Sequence, residues 1–122
     1  MPSVVVIGAS ADRRKFGNKA VRAFVKRGYR VIPVNPHESE VEGLKAYASV
    51  IDVPGDVDLA TLYVPPSVGR TVLEDVARRG IREVWLNPGA HNPEVVERAR
   101  ALGLTPVVTC SIRRLGELPE AY

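Results

Sequence analysis

Ser3-Val4-Val5-Val6-Ile7 is the most restrictive stretch of the chain: uncharged, apolar and β-branched after Ser3, and stopped by Gly8. A strand with one wet face alternates apolar and polar residues. This one does not, so it needs cover on both faces, the condition of an inner strand in a parallel sheet. A parallel neighbour requires a crossover connection, and crossovers are usually helices.

The rest of the chain reads as strand-then-helix units. A loop from Ala9 to Phe16 precedes a helix predicted over 17–27, with Ala20, Val21, Phe24 and Val25 at helical spacing and Gly28 placed to end it. Further strands are predicted over 29–34, 59–64, 82–86 and 105–109. A second helix carries Val68, Val72, Val76 and Ala77 and stops at Gly80. Its wet side offers Glu74 with Arg78 and Asp75 with Arg79 at i,i+4 spacing. A third has Asn92 as its cap and Pro93 in its first turn, buries Val95, Val96, Ala99 and Leu102, and ends at Gly103. The stretch 37–55 is less regular, with one short helix expected within 44–50. The tail from Ser111 is expected as a short helix or a loose arm. This alternation predicts an α/β fold: a five-stranded parallel sheet with helices on both faces, in the spatial order 3-2-1-4-5.

Composition limits the alternatives. With 122 residues, 45% apolar and 25% charged, one domain over 1–122 is expected. A chain this long buries roughly two-thirds of its unfolded surface, enough for a real core. No apolar run approaches the roughly 20 residues that span a bilayer, and the start lacks the charged and apolar regions of a signal peptide. Cys110 is the single cysteine, so neither an internal disulfide nor a cysteine-based zinc site can form, and a reducing, cytoplasmic setting fits. The net charge of +3 comes mostly from scattered Arg, and only Arg13-Arg14-Lys15 forms a tight run. Aromatics are too few and too dispersed for a nucleic-acid stacking surface. The charge is read as solubility plus one local anion site, with no nucleic-acid or membrane partner.

In open sheets of this kind, ligands bind beyond the carboxyl ends of the strands, where the strand order reverses. The expected order puts that place between the first and fourth strands. Gly8-Ala9-Ser10 leaves the first strand with minimal side chains, and Gly17 opens the next helix. Backbone N–H groups and a positive helix end there favour phosphate. The dinucleotide pattern is broken, since Ser10 and Arg13 stand where its second and third glycines belong. The second strand ends in Asn35-Pro36 and not in an acidic residue. A nicotinamide cofactor is therefore the weaker alternative.

Several strings together resemble a known family: Gly8-Ala9-Ser10, Lys15-Phe16-Gly17, Val31-Ile32-Pro33-Val34-Asn35-Pro36, Tyr63-Val64-Pro65-Pro66, Trp85-Leu86-Asn87-Pro88-Gly89 and the late Cys110. In order and spacing they are similar to the CoA-binding proteins, small domains like the N-terminal domain of the succinyl-CoA synthetase alpha subunit. The resemblance implies a Rossmann-like fold with coenzyme A as its ligand. Carried over by position, it implies that Gly8, Ala9, Ser10, Arg14, Lys15, Phe16 and Gly17 face the phosphates. Asn35, Pro36 and His37 match the loop after the second strand. Val64, Pro65 and Pro66 would line an adenine slot, and Leu86, Asn87, Pro88 and Gly89 would run along the ligand. His37 departs from the Lys often found there, and Asn87 lies where many relatives have a nearby Gln.

No catalytic set emerges. His37 and His91 lie in separate loops, no carboxylate pair stands out, and no metal-ligand cluster is visible. Nothing in the sequence activates Cys110, which reads more simply as an inert thiol than as a partner for the CoA thiol. The synthetases keep their phosphorylated histidine in a separate domain for which this chain has no room. The resemblance therefore implies a non-catalytic CoA or acyl-CoA binding module, a carrier, sensor or regulatory unit. The alternatives are an NAD(P)-dependent oxidoreductase module and the CoA-binding subunit of a multi-chain acyl-CoA ligase. A second copy of the chain or a ligase subunit is the partner each would add.

Overall fold

The computed structural model describes all 122 residues, Met1 to Tyr122. The apolar opening run is β1 (Ser3–Ile7), and every residue in it is buried. It is followed by α1 (Phe16–Lys26), β2 (Arg30–Val34), a small hairpin β3 (Glu40–Val41) and β4 (Leu44–Lys45), and a 3₁₀ turn (Val50–Asp52). Then come β5 (Leu59–Leu62), α2 (Pro66–Arg78), β6 (Glu83–Leu86), α3 (Pro93–Ala101), β7 (Thr105–Val108), α4 (Ser111–Arg114) and a last 3₁₀ turn (Pro119–Ala121).

The five long strands form one parallel sheet, and the period of two divides their side chains between two cores. Val5, Ile7, Ile32, Ala60, Leu62, Val84 and Leu86 meet α2 and α3 through Leu73, Val76, Val95 and Ala99. Val4, Val6, Val31, Leu59 and Trp85 meet α1 and α4 through Ala20, Val21, Phe24 and Ile112. The three-layer α/β/α class is the expected one, and Asn92 caps α3 as expected, accepting from the Val95 N–H at 2.8 Å.

The strand order differs from the expectation. It is β2-β1-β5-β6-β7, so the third long strand lies beside β1, in register from Val4 with Leu59 to Ile7 with Leu62. In the count used above this is 2-1-3-4-5, not 3-2-1-4-5. Two features keep β5 away from the far side of β2. Tyr47 covers that edge, donating to the Pro33 carbonyl at 3.0 Å and accepting from the Asn35 N–H at 2.9 Å. Pro33 also faces its ring nitrogen to that side, where it has no proton for another strand. β1 is then paired on both sides, as its continuous burial demands. The order reversal accordingly lies between β1 and β5.

Local departures follow from the same packing. The helix expected within 44–50 is replaced by β4 and the 3₁₀ turn. The hairpin turns at Glu42 and Gly43, with φ of 51° and 77°, the positive pair that a two-residue turn requires. The Glu42 carboxylate holds the Asn18 amide at 3.1 Å and pairs with Arg13. On α2 the expected i,i+4 pairs do not form. Glu74 reaches across to Arg98 of α3, and Arg79 donates to the Gly55 carbonyl at 2.6 Å. No helix is long and apolar enough to cross a membrane.

Candidate functional site

Where β1 and β5 diverge, their carboxyl ends open a crevice of about 480 Å³ lined by Gly8, Ser10, Lys15, Phe16, Gly17, Asn35, Tyr63, Val64, Pro65, Pro88, Gly89 and Ala90. Two glycines let its walls close up. Gly8 has φ of 93°, and a Cβ on it would lie 2.5 Å from the Tyr63 carbonyl oxygen. A Cβ on Gly17 would collide with the Gly8 carbonyl oxygen. Gly17 thus performs the close helix-to-strand approach that a dinucleotide fingerprint assigns to a glycine earlier in the loop.

The loop between these glycines is braced from outside. Asn35 donates to the Ala9 carbonyl at 2.7 Å, Asn18 to the Ser10 carbonyl at 2.9 Å, and Glu38 accepts from the Ala11 N–H at 2.5 Å. Ser10 accepts from the Asp12 N–H at 3.0 Å. At the start of α1, by contrast, the Phe16 and Gly17 N–H groups have no acceptor in the protein, and the Lys15 ammonium makes no hydrogen bond or salt bridge. Unpaired donors and one free cation at a helix N-terminus form a place for an anion.

A second, more apolar slot of about 430 Å³ adjoins this crevice on the β2 side. Gly8, Asn35 and Val64 belong to both spaces. Ile7, Val34, Pro36, His37, Ala48, Ser49, Val50, Val68, Val72 and Asp75 complete the slot. The expected site residues are therefore largely brought together. Ten line the crevice, and Pro36 and His37 line the slot. Five stand elsewhere. Ala9 and Leu86 are wholly buried. Pro66 is the first residue of α2. Arg14 points into solvent and holds Asp12 through its side chain and backbone, which pulls the Asp12 carboxyl down to about 2.

Asn87 is buried, and its side chain bonds within the protein. Its amide donates to Thr61 Oγ1 and the Leu62 carbonyl, both at 2.8 Å, and its oxygen accepts from the Ser111 N–H at 2.8 Å. It ties the ends of β5, β6 and β7 into one rim. Sequence reasoning missed Tyr63 and Ala90 in the crevice, and Ile7, Val34, Ala48, Ser49, Val50, Val68, Val72 and Asp75 in the slot. Tyr63 was legible, standing beside Val64 at a strand end. Val68 and Val72 read only as the apolar stripe of a helix. His91 is exposed, and no group of three or more His, Cys, Asp or Glu side chains could hold a metal ion.

Residues 2–115 match the family described as CoA binding domain. The chain is 40% identical over 82 residues to the alpha subunit of an ADP-forming acetate–CoA ligase II of Pyrococcus furiosus, covering 66% of this chain but 18% of that protein. A conserved hypothetical protein of Pyrococcus furiosus superposes with a TM-score of 0.84 at 31% identity, covering 93% of this chain and 99% of that one. The apo dinucleotide-forming acetyl-coenzyme A synthetase 1 of Ca. Korarchaeum cryptofilum superposes at 0.78 and 30% identity, covering 88% of this chain and 26% of that one.

Proposed function

The chain belongs to the CoA binding domain family, and from that premise we propose that it binds coenzyme A or an acyl-CoA across the ends of β1 and β5 without itself catalysing a reaction. One observation carries the reading: an apolar slot and an anion-accepting crevice adjoin, sharing Gly8, Asn35 and Val64. Coenzyme A has the same sequence of parts. Its adenine suits the slot beside Val64, Val68 and Val72. Its pyrophosphate suits the free N–H groups of Phe16 and Gly17, with Lys15 alongside. A charge-assisted contact of that kind contributes about 1.5–3 kcal/mol. Asn35, Ala9 and Asn87 hold the rim and need not touch the ligand. Pro36 and His37 stand where the slot meets solvent, beside the ribose end.

The test is thermal unfolding with CoA, NAD, NADP and ATP at matched concentrations. A ligand at 100 times its Kd adds about 2.7 kcal/mol of stability. A shift with CoA and none with NADP supports the reading; a shift with NADP and none with CoA favours the oxidoreductase alternative and ends this one.

A second reading has its own support. The ligase alpha subunit of which this chain spans 18% is a component of a larger enzyme. In that reading the chain supplies the CoA site to a ligase whose other chains carry the chemistry. Co-purification with an ATP-binding partner, and acyl-CoA formation only by the mixture, would favour it over a stand-alone binder.

A further inference from the structure

Coenzyme A carries a phosphate on its ribose besides the diphosphate. The ribose joins adenine to the diphosphate, so it lies along the wall that the slot and the crevice share, Gly8, Asn35 and Val64, with Pro36 and His37 beside it. The backbone donors after β2 are spent. The Gly8 N–H goes to the Val34 carbonyl at 3.0 Å and the Asn35 N–H to the Tyr47 carbonyl at 2.9 Å. The Asn35 amide donates to the Ala9 carbonyl, and its oxygen accepts from the His37 N–H at 2.8 Å. Pro36 has no N–H, and the Glu38 N–H turns back to the Asn35 carbonyl at 3.3 Å. This turn is closed on itself, whereas the start of α1 is open.

Charge repeats the contrast. Lys15 is the one charged residue lining the crevice. The slot is lined by the Asp75 carboxylate and by no Lys or Arg. Glu38 follows His37 directly and accepts from the Ala11 N–H, next to Ser10 of the crevice, so a carboxylate holds a loop N–H that an anion could otherwise use. The arginines nearby have partners already: Arg13 with Glu42 at 3.4 Å, Arg14 with Asp12 at 2.9 Å and Arg78 with Asp75 at 3.7 Å.

Resting on the CoA reading above, we propose that the site recognises an adenosine diphosphate ester whose ribose carries no phosphate, so that dephospho-CoA is a better ligand than CoA. The diphosphate meets two free N–H groups and a cation at the start of α1. A ribose phosphate brings up to about two further negative charges to a turn, Asn35 to Glu38, that has no unspent backbone donor. Its neighbouring charges there are Glu38 and Asp75. A phosphate beside carboxylates is repelled, and it loses water without gaining hydrogen bonds. Free ribose hydroxyls carry neither cost. Dinucleotide sites divide on the same chemistry: an acidic residue after the second strand accompanies free ribose hydroxyls, and an Arg accompanies a ribose phosphate.

The experiment is calorimetric titration of the full chain with dephospho-CoA and with CoA at pH 8 and low salt, with the ratio of affinities as the readout. Dephospho-CoA should bind about threefold or more tightly, the scale of contacts between like charges near the surface, and the gap should narrow as added salt screens the carboxylates. His37→Lys supplies a cation and should reverse the order, with CoA about tenfold tighter than dephospho-CoA. Glu38→Gln keeps an acceptor for the Ala11 N–H but removes the charge, and should bring the ratio towards one. CoA binding to the wild-type chain as tightly as dephospho-CoA, or more tightly, overturns the inference and leaves CoA binding standing. Absence of binding by both ligands overturns both.

Discussion

The two ends of α1 are built on opposite plans. At its C-terminal end every charge is engaged. Glu117, folded back from the C-terminal segment, receives Lys26 at 3.1 Å, Arg27 Nε at 2.7 Å and the Tyr122 hydroxyl at 2.7 Å. Arg22 lies over the Tyr122 ring, 5.5 Å from its centre. At the N-terminal end Lys15 is free, two N–H groups lack acceptors, and Phe16 is 54% exposed. The same helix is thus closed off at one end and left open at the other. Completed polar sets hold the fold, and incomplete ones mark where something else must bind.

The sharpest way to break this contrast is Gly17→Ala. The added methyl meets the Gly8 carbonyl, so α1 must move off β1. Both properties should fail together: stability falls by about 1–3 kcal/mol in urea unfolding, and the thermal shift with CoA disappears. A retained shift would mean that the crevice does not need the close approach. Lys15→Glu should separate the two properties. Having no partner to lose, it should leave the unfolding midpoint of the free protein nearly unchanged while weakening CoA about tenfold or more in titration.

Glu117→Gln should give the converse, a lower unfolding midpoint with CoA affinity unchanged. The wild-type midpoint also carries a pH signature. The Tyr122 hydroxyl, then Lys26 and Arg27, hold the Glu117 carboxyl at about 2 against an ordinary 4.5. Its contribution is therefore complete above the ordinary value and is lost as pH falls from 4.5 towards 2. Thermal scans over that window should converge for wild type and variant. Arg14→Ala should matter least. Arg14 already serves Asp12, so CoA binding should change by less than about threefold, within the range of an exposed pair.

The fold class was legible because its signals are local. An apolar run with no polar alternation cannot be an exposed strand, and Asn92-Pro93 can start a helix with no help from the rest of the chain. The strand order was less legible, although one signal was present. Pro33 cannot donate to a further strand, which marks β2 as an edge and argues against a third strand outside it. The hairpin at Glu42-Gly43 was hidden because a glutamate at positive φ is justified only by Asn18 and Arg13, 24 and 29 positions earlier. The candidate site divides along the same line. The glycines and prolines at the strand ends announce themselves, since those backbones exclude most other residues. Tyr63 announces only an aromatic ring, and only the folded chain buries its hydroxyl beside Thr61 and Ser111.

From the order of its residues alone the chain settles that there are alternating strands and helices, that β1 is buried on both sides, and that tight, small-residue turns gather at the strand ends. Those properties depend on side-chain volume, φ preference and polarity within a few neighbouring positions. Only the folded molecule decides that β5 lies against β1, that the Lys15 side chain is left free while Arg14 is not, and that the Tyr63 hydroxyl is buried beside Thr61 and Ser111. Each of these depends on which distant groups reach a given atom first, and hydrogen bonds and charges are filled by proximity in space and not by position along the chain.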